Sequence, residues 1–369
     1  MNVLMVTPHL PPLQAANALL PHLLGQALIA RGHGVSFLTF GPGPDAGGIH
    51  YVRRRGQRLR ATRVPQALEA VETWWRGRAP LSQADVVHVH SNTWMNQVAG
   101  RLAERAGKPY LLTHYGTEIW HHDGKDPVFR RLNRGAHHVT FYSQALLARG
   151  RELGVPLRAA SVVYPPVADA FHPLDAGERR AVRHHYVREG DALLLNVKRL
   201  HPLADHATLL AAMARVRQQR RDAILLIAGA GETEAALKAQ AAALGLEGGV
   251  RFLGLVPNEQ VATLSGAADL FVLSSLLEAT PTVALEALAA GTPVVSTDNP
   301  GGVELSEIFG DEVRVVPKQQ PEALAQAILD FLAAPRRVSE RAQATLAARF
   351  RIDGVAERYL ALYREAAAW

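Results

Sequence analysis

The sequence predicts an α/β protein made of two doubly wound, Rossmann-like domains. Three observations predict it. Short apolar runs of strand length alternate with helical patterns along the chain, an order that favours parallel sheets with helices on both faces. A proline-rich stretch, "VVYPPVADAFHPL" from Val162 to Leu174, interrupts the alternation, which then begins again. The chain's 369 residues also suffice for two substantial cores. On this reading residues 1–172 form the first domain and 173–352 the second. Apolar residues at helical spacing in 353–369 form a last helix that packs back on the first domain. Two doubly wound domains imply a ligand cleft between facing sheet edges.

The elements follow in order. "NVLMVTP" from Asn2 is a buried-strand run, "NALLPHLLGQALIARG" a helix ending near Gly32, and "GVSFLTF" the next strand. "DVVHVHS" from Asp85, "PYLLTHYG" from Pro109 and "HVTFYS" from His138 complete the first half. The second half opens with "DALLLNVKR" and continues through "AILLIAGAG", "GVRFLG", "DLFVLSS", "PVVST" and "VRVVP". These runs are short, apolar and rich in β-branched residues, as strands buried on both faces require.

Composition narrows the function. Apolar content of 48% with 20% charged residues is ordinary for a globular chain. No apolar run reaches the roughly 18 residues that span a bilayer, and "MNVLMVTPHLPP" reads as strand and loop rather than a signal peptide. With no cysteine there is no disulfide framework, thiolate nucleophile or cysteine-ligated zinc. A cytoplasmic site fits. The net charge of +6 is uneven: residues 1–172 hold 19 Lys and Arg against 10 Asp and Glu, the remainder 21 against 24. The excess peaks between Tyr51 and Pro80, with eight arginines, two glutamates and the pair Trp74 and Trp75. Such a segment is either a solvated face or a dock for an anionic membrane, which extends the localisation to the periphery of the inner membrane face. No recognition motif for nucleic acid accompanies the charge.

The chemistry concentrates in "LLEATPTVALEALAAGTPVVS", Leu276 to Ser296. Thr280 suits a helix N-cap and Pro281 a first helical residue. "TVALEALAA" carries strong helix formers, and Gly291 and Pro293 end the helix. Glu278 then lies in the loop before the helix and Glu286 in its second turn. The unpaired amides after Thr280 form an anion site between two carboxylates. That combination suggests a sugar nucleotide.

These residues and their order resemble the retaining glycosyltransferases of family 4, which have the GT-B fold of two facing Rossmann-like domains. The stretch above matches the family's pattern of two glutamates separated by seven residues, followed by "AAGTPVV". "GAGE" (Gly229 to Glu232), "VRFLGLVP", "ADLFVLSS", "NPGGVEL" and "HYGTEIW" match as well. The resemblance implies transfer of a sugar from a nucleotide-diphosphate sugar to a carbohydrate, lipid-linked or small-molecule acceptor, with retention and without a metal or other cofactor. It implies that Glu278 contacts donor-sugar hydroxyls, that Glu286 binds the nucleotide ribose, and that the amides of Thr282 and Val283 face the diphosphate or sugar. Arg199 of "NVKRLHP" would hold the diphosphate bidentately. Gly229 and Gly231 would let the backbone approach the nucleotide.

The chain departs from the family pattern at three places. The lysine expected five residues beyond Arg199 is Ala204, and Lys198 is expected on the opposite strand face from Arg199 and the donor. Gln14, Ala15 and Ala16 stand where a glycine pair is usual. Tyr115 replaces the histidine before Gly116, with His114 beside it as the catalytic candidate and Glu118 as a further acceptor contact or a helix-start carboxylate. His88 and His90 alternate on one strand face, but no third ligand accompanies them, so no metal site is expected. Two other readings remain open: a sugar-nucleotide 2-epimerase of the same fold, and a non-catalytic sugar-nucleotide-binding protein, the latter motivated by Ala204.

Overall fold

A computed structural model describes residues 1–13, 16–41, 44, 45, 47–53 and 64–368. The chain divides into two compact units, Met1–Pro166 with Ile352–Trp369, and Val167–Arg351. Among the described residues the first holds seven parallel strands: β1 (Asn2–Val6), β2 (Gly34–Phe40), β3 (Ile49–Val52), β4 (Val86–His90), β5 (Tyr110–His114), β6 (His138–Phe141) and β7 (Ala160–Val162). Their order across the sheet is β3-β2-β1-β4-β5-β6-β7. The second holds β8 (Ala192–Val197), β9 (Ala223–Ala228), β10 (Val250–Gly254), β11 (Leu270–Leu273), β12 (Val294–Thr297) and β13 (Val313–Val316), in the order β10-β9-β8-β11-β12-β13. Both are doubly wound α/β sheets.

The strands read from apolar runs are all present. Central strands β1, β4, β5, β8, β9 and β11 are almost wholly buried, because helices cover both sheet faces. The two strands that the pattern did not show, β3 and β7, are the outermost of their sheet. Each is short and only partly buried, so neither carries a strong apolar signature.

Each sheet reverses its strand order once, between β1 and β4 and between β8 and β11. Connections leave such a point in opposite directions, and the gap between them at the carboxyl ends of the strands is where doubly wound sheets bind ligands. In the second unit Leu270 and Phe271 of β11 pair with Leu194 and Leu195 of β8. That register sets the segments beginning at Lys198 and Ser274 side by side.

The last helix, Ile352–Ala367, belongs to the first unit. Val355, Tyr359, Leu360 and Tyr363 share one buried cluster with Met5, Leu28, Val86 and Leu111. Burying each such side chain contributes about 1.5–3 kcal/mol. His88 beneath it is satisfied at both ring nitrogens: Tyr363 Oη lies 2.6 Å from His88 Nδ1, and His88 Nε2 lies 2.6 Å from Thr113 Oγ1. Burial first, and the neighbouring His90 second, push the His88 pKa well below its ordinary value, so the imidazole stays neutral inside this network.

Candidate functional site

In the second unit, β8 delivers Lys198 and Arg199, and β11 delivers the loop that carries Glu278. The two segments are stitched together: Ser274 Oγ donates to the Ala204 carbonyl at 2.8 Å, and the Leu276 amide to the Leu203 carbonyl at 2.8 Å. The Glu278 carbonyl accepts the Gly301 amide at 3.0 Å. Side chains have little room here, since a Cβ on Gly301 would come within 2.6 Å of the Pro281 ring and 2.9 Å of the Ala279 carbonyl. "NPGG" therefore packs against the 278–281 loop and fixes its course.

The helix that follows is Thr282–Ala289, one residue later than expected. Thr280 is not its N-cap. Pro281 is, with a non-helical ψ of 90°, and its carbonyl accepts from Ala284 and Leu285 at 3.0 and 3.2 Å. Packing of the Pro281 ring against Gly301 goes with this extended conformation, which local capping preference could not reveal. The amides of Thr282 and Val283 come before the first intrahelical donors and have no partner within the helix. Glu278 lies in the preceding loop, and Glu286 lies four residues beyond Thr282 on the helix.

Those two carboxylates differ in state. Glu278 Oε1 is 2.5 Å from Lys198 Nζ. Glu286, partly buried, has no hydrogen bond or ion pair among the described residues, and burial pushes its pKa up to about 7. A carboxylate left unpaired at this depth is costly, and hydroxyl donors from a ligand would relieve it.

Lys198 does not point away from the Glu278 side; it pairs with Glu278 there. Arg199 instead has a side chain 72% exposed, and its Nη2 lies 3.3 Å from Glu232 Oε2. The physical reason is strand alternation. Lys198 is two residues beyond Asn196 and shares its sheet face, whereas Arg199 lies on the other; Asn196 Nδ2 donates to the Val272 carbonyl of β11 at 2.8 Å.

Gly229 and Gly231 lie close against the backbone at the end of β8. A Cβ on Gly229 would collide with the Lys198 carbonyl, and one on Gly231 with the Leu200 carbonyl. Their small size lets the β9 loop lie against the 198–200 backbone.

In the first unit, His114 is a correction. Its side chain is fully enclosed, with Phe129 and Phe141 rings 5.8 and 5.4 Å away, and its Nε2 lies 2.9 Å from Asn133 Oδ1. No face of this imidazole is open to an incoming substrate. Glu118 accepts the amides of Tyr115 and Gly116 at 2.7 and 3.2 Å. Burial acts to raise its pKa, but His114 and the backbone donors outweigh it and hold the carboxylate below its ordinary range. Tyr115, partly exposed, hydrogen-bonds His90 Nδ1 at 3.0 Å. Gln14 and Ala15 lie outside the described residues.

A cavity of about 750 Å³ lined by Pro293, Asp311 and Val313 lies at the amino ends of the second sheet and contains none of these groups. Doubly wound sheets bind at their carboxyl ends, so the Glu278–Glu286 region is the better candidate.

The family Glycosyl transferases group 1 matches residues 178–349, and the Glycosyl transferase 4-like domain matches residues 21–166. A D-inositol 3-phosphate glycosyltransferase of Segniliparus rotundus is 29% identical over 300 residues, 75% of this chain and 66% of that protein. A GDP-mannose-dependent alpha-(1-6)-phosphatidylinositol monomannoside mannosyltransferase of Mycolicibacterium smegmatis is 29% identical over 284 residues, 73% of this chain and 69% of that protein. Among solved structures, Anabaena HepE in complex with UDP-glucose superposes with a TM-score of 0.78 at 19% identity, covering 99% of this chain and 100% of that one. With both halves matched and the fold shared, the chain belongs to the family 4-type glycosyltransferases of the GT-B fold.

Proposed function

We propose that this glycosyltransferase moves a sugar from a nucleotide-diphosphate donor to an acceptor hydroxyl with retained configuration. The carrying observation is the pairing of Glu278, before the helix start at Thr282, with the unpartnered Glu286 inside that helix, beside the strand-order reversal. In this reading Glu286 accepts the ribose hydroxyls, Glu278 accepts sugar hydroxyls, and the amides of Thr282 and Val283 meet the diphosphate. The helix dipole and those amides stabilise negative charge as the glycosidic bond breaks. The acceptor approaches the face from which the diphosphate leaves, and a leaving-group oxygen takes its proton. Protein groups do the neutralising, so the transfer needs no metal. The UDP-glucose in HepE and the GDP-mannose dependence of the mycobacterial mannosyltransferase support a nucleotide sugar as donor.

A thermal-stability screen against UDP-, GDP-, ADP- and dTDP-sugars tests this reading. A donor present at about 100 times its Kd contributes about 2.7 kcal/mol of stability and raises Tm. No shift with any of the four classes defeats the assignment.

The first unit supports a membrane-surface location. Its helix Val64–Gln83 exposes Leu68, Val71 and Trp75 at i, i+3 and i+7, with Trp74 alongside. Arg78 sits over the Trp74 ring at 4.7 Å, while Arg76, 5.8 Å from the Trp75 ring, pairs with Asp45 and Glu72. Arg53 is exposed, whereas Arg54, Arg55 and Arg58 lie outside the described residues. Exposed tryptophans flanked by arginines match an anionic interface. Sedimentation with vesicles rich in phosphatidylglycerol at low salt is expected to capture the protein, and Trp74→Ser with Trp75→Ser to weaken capture at least ~10-fold. Absence of wild-type binding to those vesicles sinks the idea.

A further inference from the structure

We propose that Lys198 supplies the positive charge for the donor's diphosphate, reaching it from its ion pair with Glu278. This rests on the donor reading above and names the cation that the reading requires. Among the described residues, the other basic side chains near the carboxyl ends of this sheet pair with carboxylates other than Glu278. Arg199 and His201 both approach Glu232, at 3.3 and 3.5 Å, with side chains 72% and 40% exposed. Lys318 lies 3.8 Å from Asp298. Position 204 is a buried alanine whose carbonyl accepts Ser274, so it offers only a methyl group. Lys198, with a side chain 29% exposed, stands against Glu278 at 2.5 Å.

The polar groups on the same strand face are satisfied by one another and leave Lys198 to Glu278. Asn196 on the same strand face bonds both the Val272 carbonyl and His206 Nε2, at 2.8 and 3.0 Å. His206 is buried; burial, and then the charge of Lys198, lower its pKa to about 4, so it adds no competing positive charge near neutral pH. The ammonium has three donors on a flexible stem. One can stay on the carboxylate while another turns to a phosphate oxygen. Glu278 is four residues before Thr282, so the partner that orients the carboxylate lies in the same loop region as the free amides. A single residue thus positions the sugar-binding carboxylate and offsets the charge of the leaving group.

The test is calorimetric titration of the full chain with UDP, UMP, GDP and GMP, alongside transfer kinetics with the donor found by the stability screen. Lys198→Met is expected to lower affinity for the diphosphate by about 10- to 100-fold, as for loss of a hydrogen bond to a charged group, and to leave monophosphate affinity nearly unchanged. Lys198→Arg restores part of the diphosphate preference, and Lys198→Gln, closer in shape and polarity, guards against a folding defect. Equal diphosphate affinity in wild type and in folded Lys198→Met or Lys198→Gln overturns the proposal. So does a loss that appears only in Arg199→Met. Wild-type protein that binds none of the nucleotides overturns the donor reading itself, a result distinguishable from failure at Lys198 alone.

Discussion

Glu278→Ala lowers transfer by about 10²- to 10³-fold while leaving nucleoside-diphosphate binding intact or tighter, the effect expected when one preorganised polar contact to the reacting group is removed. The reasoning starts from the ion pair. Glu278 is mostly buried and holds Lys198 at 2.5 Å. Its removal takes away an acceptor for sugar hydroxyls and also frees the ammonium, which then faces phosphate oxygens without competition. Steady-state kinetics and nucleotide titration on the same preparation separate the two effects. Glu278→Gln keeps the shape and one acceptor oxygen, so its loss is smaller than that of alanine. Unchanged turnover in both Glu278→Ala and Glu286→Ala would remove these residues from the mechanism.

Glu286→Gln gives an expected result of the opposite kind: weaker binding and a more stable fold at alkaline pH. Burial raises the Glu286 pKa from 4.5 to about 7. Below pH 4.5 the group is protonated in both folded and unfolded chains and makes no difference. Between 4.5 and 7 the unfolded chain loses this proton more readily than the folded one, so stability falls as pH rises and levels off above about 7. The whole effect is at most about 3 kcal/mol, and the carboxylate's residual exposure reduces it. Glutamine removes the titration. Melting curves are therefore expected to show Glu286→Gln gaining on wild type from pH 5 to pH 8, with little difference at pH 4. The same variant loses a charge-assisted contact to ribose, weakening nucleotide binding by about 10- to 100-fold. The loss should shrink for ligands lacking ribose hydroxyls. A parallel pair of stability curves from pH 4 to 8 contradicts the burial argument. Loss of affinity that is equal for ribo- and dideoxyribonucleotides contradicts the ribose contact.

Stability and binding pull against each other at this residue for one reason. An acidic group kept from water without a partner is unfavourable in the free protein and favourable once hydroxyl donors arrive. Glu278 avoids that cost through Lys198. The two glutamates are alike in sequence and differ in their unliganded electrostatics.

The alternation of apolar strands with helices determined the two doubly wound sheets, because buried parallel strands must be apolar along their whole length. Local composition also placed Glu278 before a helix and Glu286 within it. It could not show the weakly patterned edge strands β3 and β7, whose residues are only partly covered. Helix start, the partner of Lys198 and the burial of His114 were decided by tertiary contacts. Pro281 against Gly301 moved the cap from Thr280. Lys198, on the sheet face of Asn196, meets Glu278, while Arg199 meets Glu232. Two phenylalanine rings and Asn133 enclosed His114. Periodicity records which faces are buried, because burial is averaged over many residues; the orientation of one charged side chain depends on a few specific neighbours distant in the chain.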